Sequence, residues 1–191
     1  MKEEYFYNDD RTVRGLVSID PYSMDPREWD NFGRMICRNR KYSLGDEHDL
    51  NLEDCNSWDD VKEVIKSAGG VLILPLGLYD HGGISMYIGG KTDEWDSGQV
   101  GFIYVTKDDL DREGLTIESA EEILRNEVKI YDAYLTGNVY RWDAYQQVKA
   151  CSCGECTEWE AIESNSEYLT TEEANKDMTE YVNNFNTASV S

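Results

Sequence analysis

The chain has 191 residues and a mass of 22.0 kDa, enough for one domain or one domain with a small appendage. Eighteen Lys and Arg face thirty-nine Asp and Glu, a net charge of −21 and a pI near 4.3. That sign excludes ordinary nucleic-acid binding, which needs cationic surface to displace counterions from phosphate, and it argues against an anionic membrane; aromatics at 12% exclude a disordered chain.

The start, Met1 to Tyr5, lacks the apolar run of a secretory leader, and no stretch approaches the roughly 18 apolar residues of a membrane span. The five cysteines are therefore expected as reduced thiols in a cytosol. Residues 1–12 read as a frayed acidic start, and Val13 to Ile19 as a strand. Asp20-Pro21 and Asp25-Pro26 mark turns. Arg27 to Lys41 is the basic island of the chain, and Tyr42 to Lys66 reverses the sign. Ser57 to Ala68 is expected as a helix, capped by Ser57 with Asp60 three residues on and ended by Gly69-Gly70. Trp58, Val61, Ile65 and Ala68 supply its apolar stripe.

Val71 to Leu76 reads as a buried strand, Ile84 to Ile88 as a second and Gly101 to Thr106 as a third. Ile117 to Leu135 is the longest expected helix. Ile117, Ala120, Leu124, Val128, Tyr131 and Leu135 form one stripe, acids fill the first turn, and Gly137 ends it. Val139 to Val148 reads as a strand rich in Tyr and Trp, Cys151 to Cys156 as a tight turn, and Trp159 to Ile162 as a returning strand. Thr170 or Thr171 caps a last helix to about Asn184, with Met178, Tyr181, Val182 and Phe185 on its apolar side. Strands grouped with two or three helices, without βαβ regularity, predict an α+β fold: a mostly antiparallel sheet packed by those helices. Residues 1–149 are expected as a single domain. Residues 150–191 are expected as an acidic segment, with the Cys-rich turn and the final helix, packed on it.

The central blocks carry a resemblance. They are Leu74-Pro75-Leu76-Gly77-Leu78-Tyr79-Asp80-His81 and Trp95-Asp96-Ser97-Gly98-Gln99-Val100-Gly101-Phe102-Ile103-Tyr104-Val105. Trp29-Asp30-Asn31-Phe32-Gly33 stands upstream and Tyr131-Asp132-Ala133-Tyr134-Leu135 downstream. Together, over about residues 29–145, they resemble a family of small bacteriophage and mobile-element proteins. The sequence departs from that pattern at Gly82, where the family has Ser after the His. The resemblance implies a phage-encoded protein made in the cytoplasm of a bacterial host; it implies no activity.

The acidity has a physical reading. Duplex DNA carries about one charge per 1.7 Å, so −21 equals roughly 36 Å of duplex, close to the ~40 Å diameter of a compact chain of this length. Such a protein can compete for the cationic groove of a nuclease, a restriction enzyme or a CRISPR effector. From Glu155 to Glu180 nine acids (Glu155, Glu158, Glu160, Glu163, Glu167, Glu172, Glu173, Asp177 and Glu180) face Lys176 alone; within this one-sided run Glu158, Glu160, Glu163, Glu167, Glu172 and Glu173 are the candidate partner-binding surface. The expected function is a non-enzymatic, anti-defence inhibitor (antirestriction or anti-CRISPR) acting as a DNA mimic. Its partner would be a host nucleic-acid-binding defence protein, with no direct nucleic acid, membrane or cofactor.

The alternative is a small zinc-stabilised regulatory module. Cys153-x-x-Cys156 has the bite for one tetrahedral metal, with further ligands drawn from Cys151, Cys37, Cys55, His48 or His81. Asp80-His81 with Ser85 contains the letters of a hydrolytic triad, but neighbours in an extended chain point to opposite faces. No GxGxxG or GxxxxGK[ST] pattern supports a nucleotide site.

Overall fold

Ser57 caps the first helix as its spacing predicts. Its hydroxyl accepts from Asp60 N at 3.2 Å, and the Asp60 carboxylate accepts from Ser57 N at 2.8 Å, so two orphan donors are satisfied reciprocally. This is α1 (Trp58–Ser67), with Val61 and Ile65 buried. The computed structural model describes residues 5–90, 97–150 and 156–185. Among them run β1 (Phe6–Tyr7), β2 (Val13–Ile19), a 3-10 turn (Pro26–Glu28), β3 (Arg34–Cys37), α1, β4 (Gly70–Asp80), β5 (Ile84–Ile88) and β6 (Ser97–Thr106). There follow α2 (Lys107–Glu113), α3 (Ile117–Thr136), β7 (Tyr140–Lys149), β8 (Thr157–Tyr168) and α4 (Thr171–Asn184). The fold is α+β, and all the strand pairs are antiparallel.

The chain divides into two units, Met1–Ser23 with Gly137–Ser191, and Met24–Thr136. The expected boundary at 149/150 falls inside the β7–β8 hairpin, whose ladder runs from Tyr140↔Tyr168 to Lys149↔Thr157. β7 in turn pairs with β2 over seven residues. The long ladders therefore bind the acidic C-terminal segment to the first strands rather than to a continuous domain 1–149.

The central unit is a sheet in the order β3-β6-β4-β5. Met35, Leu76, Ile103 and Val105 join Ala120, Leu124, Val128 and Tyr131 of α3 in one core cluster. Ile36, Phe102 and Tyr104 join Val61 and Ile65 of α1 in another. Strand alternation produces both clusters from one set of strands. Pro75 does not end its strand as expected. β5 begins pairing only at Leu76, and the Pro75 carbonyl already accepts from Gly89 N at the hairpin's end, so the missing N–H falls where the ladder has run out. α2 and β3 were not expected: Thr106 and Asp109 form a second capping box, and Gly114 closes α2 in the left-handed region.

The terminal unit is a sheet in the order β1-β2-β7-β8 with α4 on one face. Val13, Trp142 and Ala144 pack with Met178 and Val182. Gly15 lies under the helix. A Cβ there would stand 2.5 Å from Met178 Cγ and 3.1 Å from Val182 Cγ2, so a larger residue would force the Met178 side chain to repack. β8 is an edge strand of twelve residues, three times the four expected, and β1 pairs with β2 inside the segment 1–12 expected to fray.

Candidate partner-binding surface

The candidate surface rests on β8 and α4. Glu158, Glu160 and Glu163 pair in register with Val148, Gln146 and Ala144. Gln146 stands opposite the buried Val13, and Ala144 belongs to the core under α4, so all three glutamates occupy the helix-bearing face of the sheet. Glu167, next to last in the strand, takes φ 70°, one of two non-glycine residues with positive φ among those described. Glu172 and Glu173 open α4. Thr170 caps the helix by accepting from Glu173 N at 3.2 Å and donates to the Glu173 carboxylate at 3.0 Å. These two acids therefore also serve the helix start, where the macrodipole favours anions.

Beside them lies an open groove of about 740 Å³. Its floor is aromatic: the Trp142 and Tyr181 rings are 5.1 Å apart, and Tyr181 and Phe185 5.8 Å. Glu163, Asp177 and Glu180 line it. The Asp177 carboxylate accepts from Trp142 Nε1 at 2.9 Å and from the Tyr168 hydroxyl, which itself accepts from Asn165 at 2.8 Å. Hydrogen bonds from Tyr168 and Trp142 hold Asp177 below the ordinary aspartate value, so it stays ionised. Burial and the bond to that carboxylate raise Tyr168, which stays a neutral donor.

Of the six glutamates singled out in the sequence, the groove takes in Glu163 alone. Asp177 and Glu180 belong to the same acidic run but not to the six-residue set. The spacing Asp177, Glu180-Tyr181, Asn184 puts them on one helical face and was the available signal. Trp142 had no local signal, because its place in the groove depends on strand pairing. Among the described residues, no carboxylate of β8 or α4 forms an ion pair; the salt bridge of the terminal unit joins Arg141 to Asp143 on β7.

The other candidate chemistries fare differently. Cys151 and Cys153 lie outside the described residues, and Cys156 is exposed. Cys37 and Cys55 sit in or against the cores of the central unit, and burial pushes the Cys37 thiol up to about 12, far from a thiolate ligand. No three His, Cys, Asp or Glu side chains among the described residues converge as a metal cluster. Asp80 and Ile84 pair across the β4–β5 hairpin, and the turn places Gly82 at φ 74°. The Asp80 carboxylate is taken by Lys41 Nζ at 2.9 Å and by the Tyr42 hydroxyl at 3.2 Å, which leaves the Asp80-His81 pair as hairpin chemistry. Compared with known proteins, the chain matches no family model, no curated protein and no solved structure.

Proposed function

We propose that the protein is a phage-type, non-enzymatic inhibitor, working in the host cytoplasm, that occupies the basic nucleic-acid groove of a host defence protein. The supporting observation is the set of eight acidic side chains on β8 and α4, from Glu158 to Glu180, none of which has an ion-pair partner among the described residues. Unpaired acids retain their full attraction for a cationic partner.

Charge density decides how much of the surface must take part. From Glu158 to Glu167 a strand rises about 30 Å, so β8 alone offers about one charge per 7 Å, half the density of one DNA strand. The four acids of α4 occupy about 12 Å of helix and bring the sum up to that density. The partner must therefore meet strand and helix together. Exposed ion pairs each contribute little, so the apolar part of the contact energy falls to Trp142, Tyr181 and Phe185.

The test measures binding to a restriction nuclease and to a CRISPR effector across a salt series. Affinity should fall steadily with salt, and the variant Glu158→Gln/Glu160→Gln/Glu163→Gln should bind about tenfold or more weakly at low salt. Binding unchanged at about 0.5 M salt, where charges are screened beyond about 4 Å, would overturn the reading.

A further inference from the structure

The face of the terminal sheet away from α4 holds an arrangement that the acidic surface does not use. Val13 and Gly15 of β2 face the helix, so Arg14 faces the other way. Its guanidinium carbon stands 4.0 Å over the Tyr5 ring, 4.3 Å over Trp159 and 5.4 Å from Tyr145. The rings brace one another: Tyr5 and Tyr145 are 6.5 Å apart at 72°, and Tyr7 and Trp159 are 6.0 Å apart at 67°. Arg11 lies 4.8 Å over Tyr7 and extends the same stack.

Arg14 Nε is buried with no hydrogen-bond partner, and Arg14 forms no ion pair among the described residues. In a chain with more than two acids per base, acceptors for a guanidinium are abundant, yet this one is held by rings instead. Burial seals the Nε side, so only the end of the fork that carries the two Nη atoms is left to donate. Stacking fixes the plane of that fork and leaves its donors unspent, which lowers the entropic cost of meeting a ligand.

We infer that Arg14, fixed among Tyr5, Trp159 and Tyr145, is a binding site for an oxyanion, a carboxylate or a phosphate group, received end-on by the two Nη atoms. The surrounding charge makes the site selective. A polyanion is repelled by a chain of −21, whereas a single oxyanion at contact distance feels mainly the guanidinium, because salt screens charges beyond about 8 Å. The ligand class is thus a small phosphorylated molecule or one acidic side chain of a partner. This site is independent of the acidic surface and survives if that surface proves inert.

The experiment follows the Arg14 Nε–H and Trp159 indole N–H resonances of the full chain by NMR. Inorganic phosphate is titrated in one arm and acetate in the other, at ionic strength held constant with chloride. Saturable shifts at both resonances with millimolar half-saturation are expected. The larger response to phosphate would mark a phosphorylated ligand, and the larger response to acetate an acidic side chain. In Arg14→Lys, which keeps the charge and loses the fork, half-saturation at the Trp159 signal should rise about tenfold. In Tyr145→Leu, which keeps the guanidinium, it should rise several-fold. Shifts that stay linear with concentration, or that are equal in parent and Arg14→Lys, would overturn the site.

Discussion

The two units carry nearly the same charge per residue and use it in opposite ways. Fifteen acids face six bases in Met1–Ser23 with Gly137–Ser191, and twenty-four face twelve in Met24–Thr136. In the central unit Arg27, Arg34 and Arg112 are spent on the fold. Arg27, 3% exposed, forks onto Asp46 at 2.7 and 2.8 Å, reaches Glu127 at 3.0 Å and donates to the Gly33 carbonyl at 2.7 Å. Glu127 in turn accepts from the backbone of Phe32 and Gly33, and Asp46 from that of Met35. Arg34 and Arg112 close on the buried Asp109. In the terminal unit Arg11 and Arg14 lie on rings, and the carboxylates of β8 and α4 go unmatched. Near-equal charge is thus arranged in two ways: internal cross-links in one unit, and carboxylates without ion-pair partners among the described residues in the other.

The sharpest way to break that contrast is Arg27→Ala. It strands two largely buried carboxylates and several backbone contacts, and breaking a buried pair from one side costs about 3–5 kcal/mol. Urea unfolding should show a loss of that size. A loss under about 1 kcal/mol would mean that the central ion pairs are as dispensable as surface ones.

Next in size is Asp109→Asn, expected to cost about 2 kcal/mol through the lost ion pairs and the weakened cap of α2. Burial opposes ionisation of Asp109, but the hydrogen bonds from Arg34 and Thr106 and the Arg34 charge together outweigh it and hold the carboxyl far below its ordinary 3.8. A depressed carboxyl stabilises the fold fully above that ordinary value and loses the contribution as pH falls through the folded one. The gap in melting temperature between parent and Asp109→Asn should therefore be constant near neutrality and shrink below about pH 3.8. A gap that widens on acidification would contradict the assignment.

These central cross-links show where the sequence was legible. α1, α3 and α4 were readable within a residue or two, because caps and apolar stripes are local: Ser57, Thr170 and the Ala120–Tyr131 stripe announce themselves. β2 and β5 were readable for the same reason. β3 was not, since Arg34 to Cys37 becomes a strand only by pairing with β6, and a basic island gives no period-two signal. α2 was missed because Thr106 both ends β6 and caps the helix. Of the candidate surface, the acidic run was plain and the groove was not. Trp142 and Glu163 meet through a register in which Ala144 and Tyr145 pair with Glu163 and Ala161, leaving Ile162 as a bulge.

The smallest expected effect falls on the terminal unit. Neutralising Glu158, Glu160 and Glu163 together should leave the unfolding midpoint within about 0.5 kcal/mol per site, because each is exposed and holds no ion pair. A drop above about 2 kcal/mol would make these acids structural and erase the difference between the units. The near-zero result has a second consequence to separate from partner binding. β8 is a long edge strand, and charge along such an edge blocks pairing with another chain. Sedimentation of the triple variant resolves the two contributions. A variant that keeps the parent's association state yet loses affinity assigns the carboxylates to the partner, whereas one that associates further while keeping affinity assigns them to guarding the edge. Under either outcome the acids would act on other molecules rather than on this fold, and that is how β8 and α4 would differ from the Arg27 and Asp109 networks.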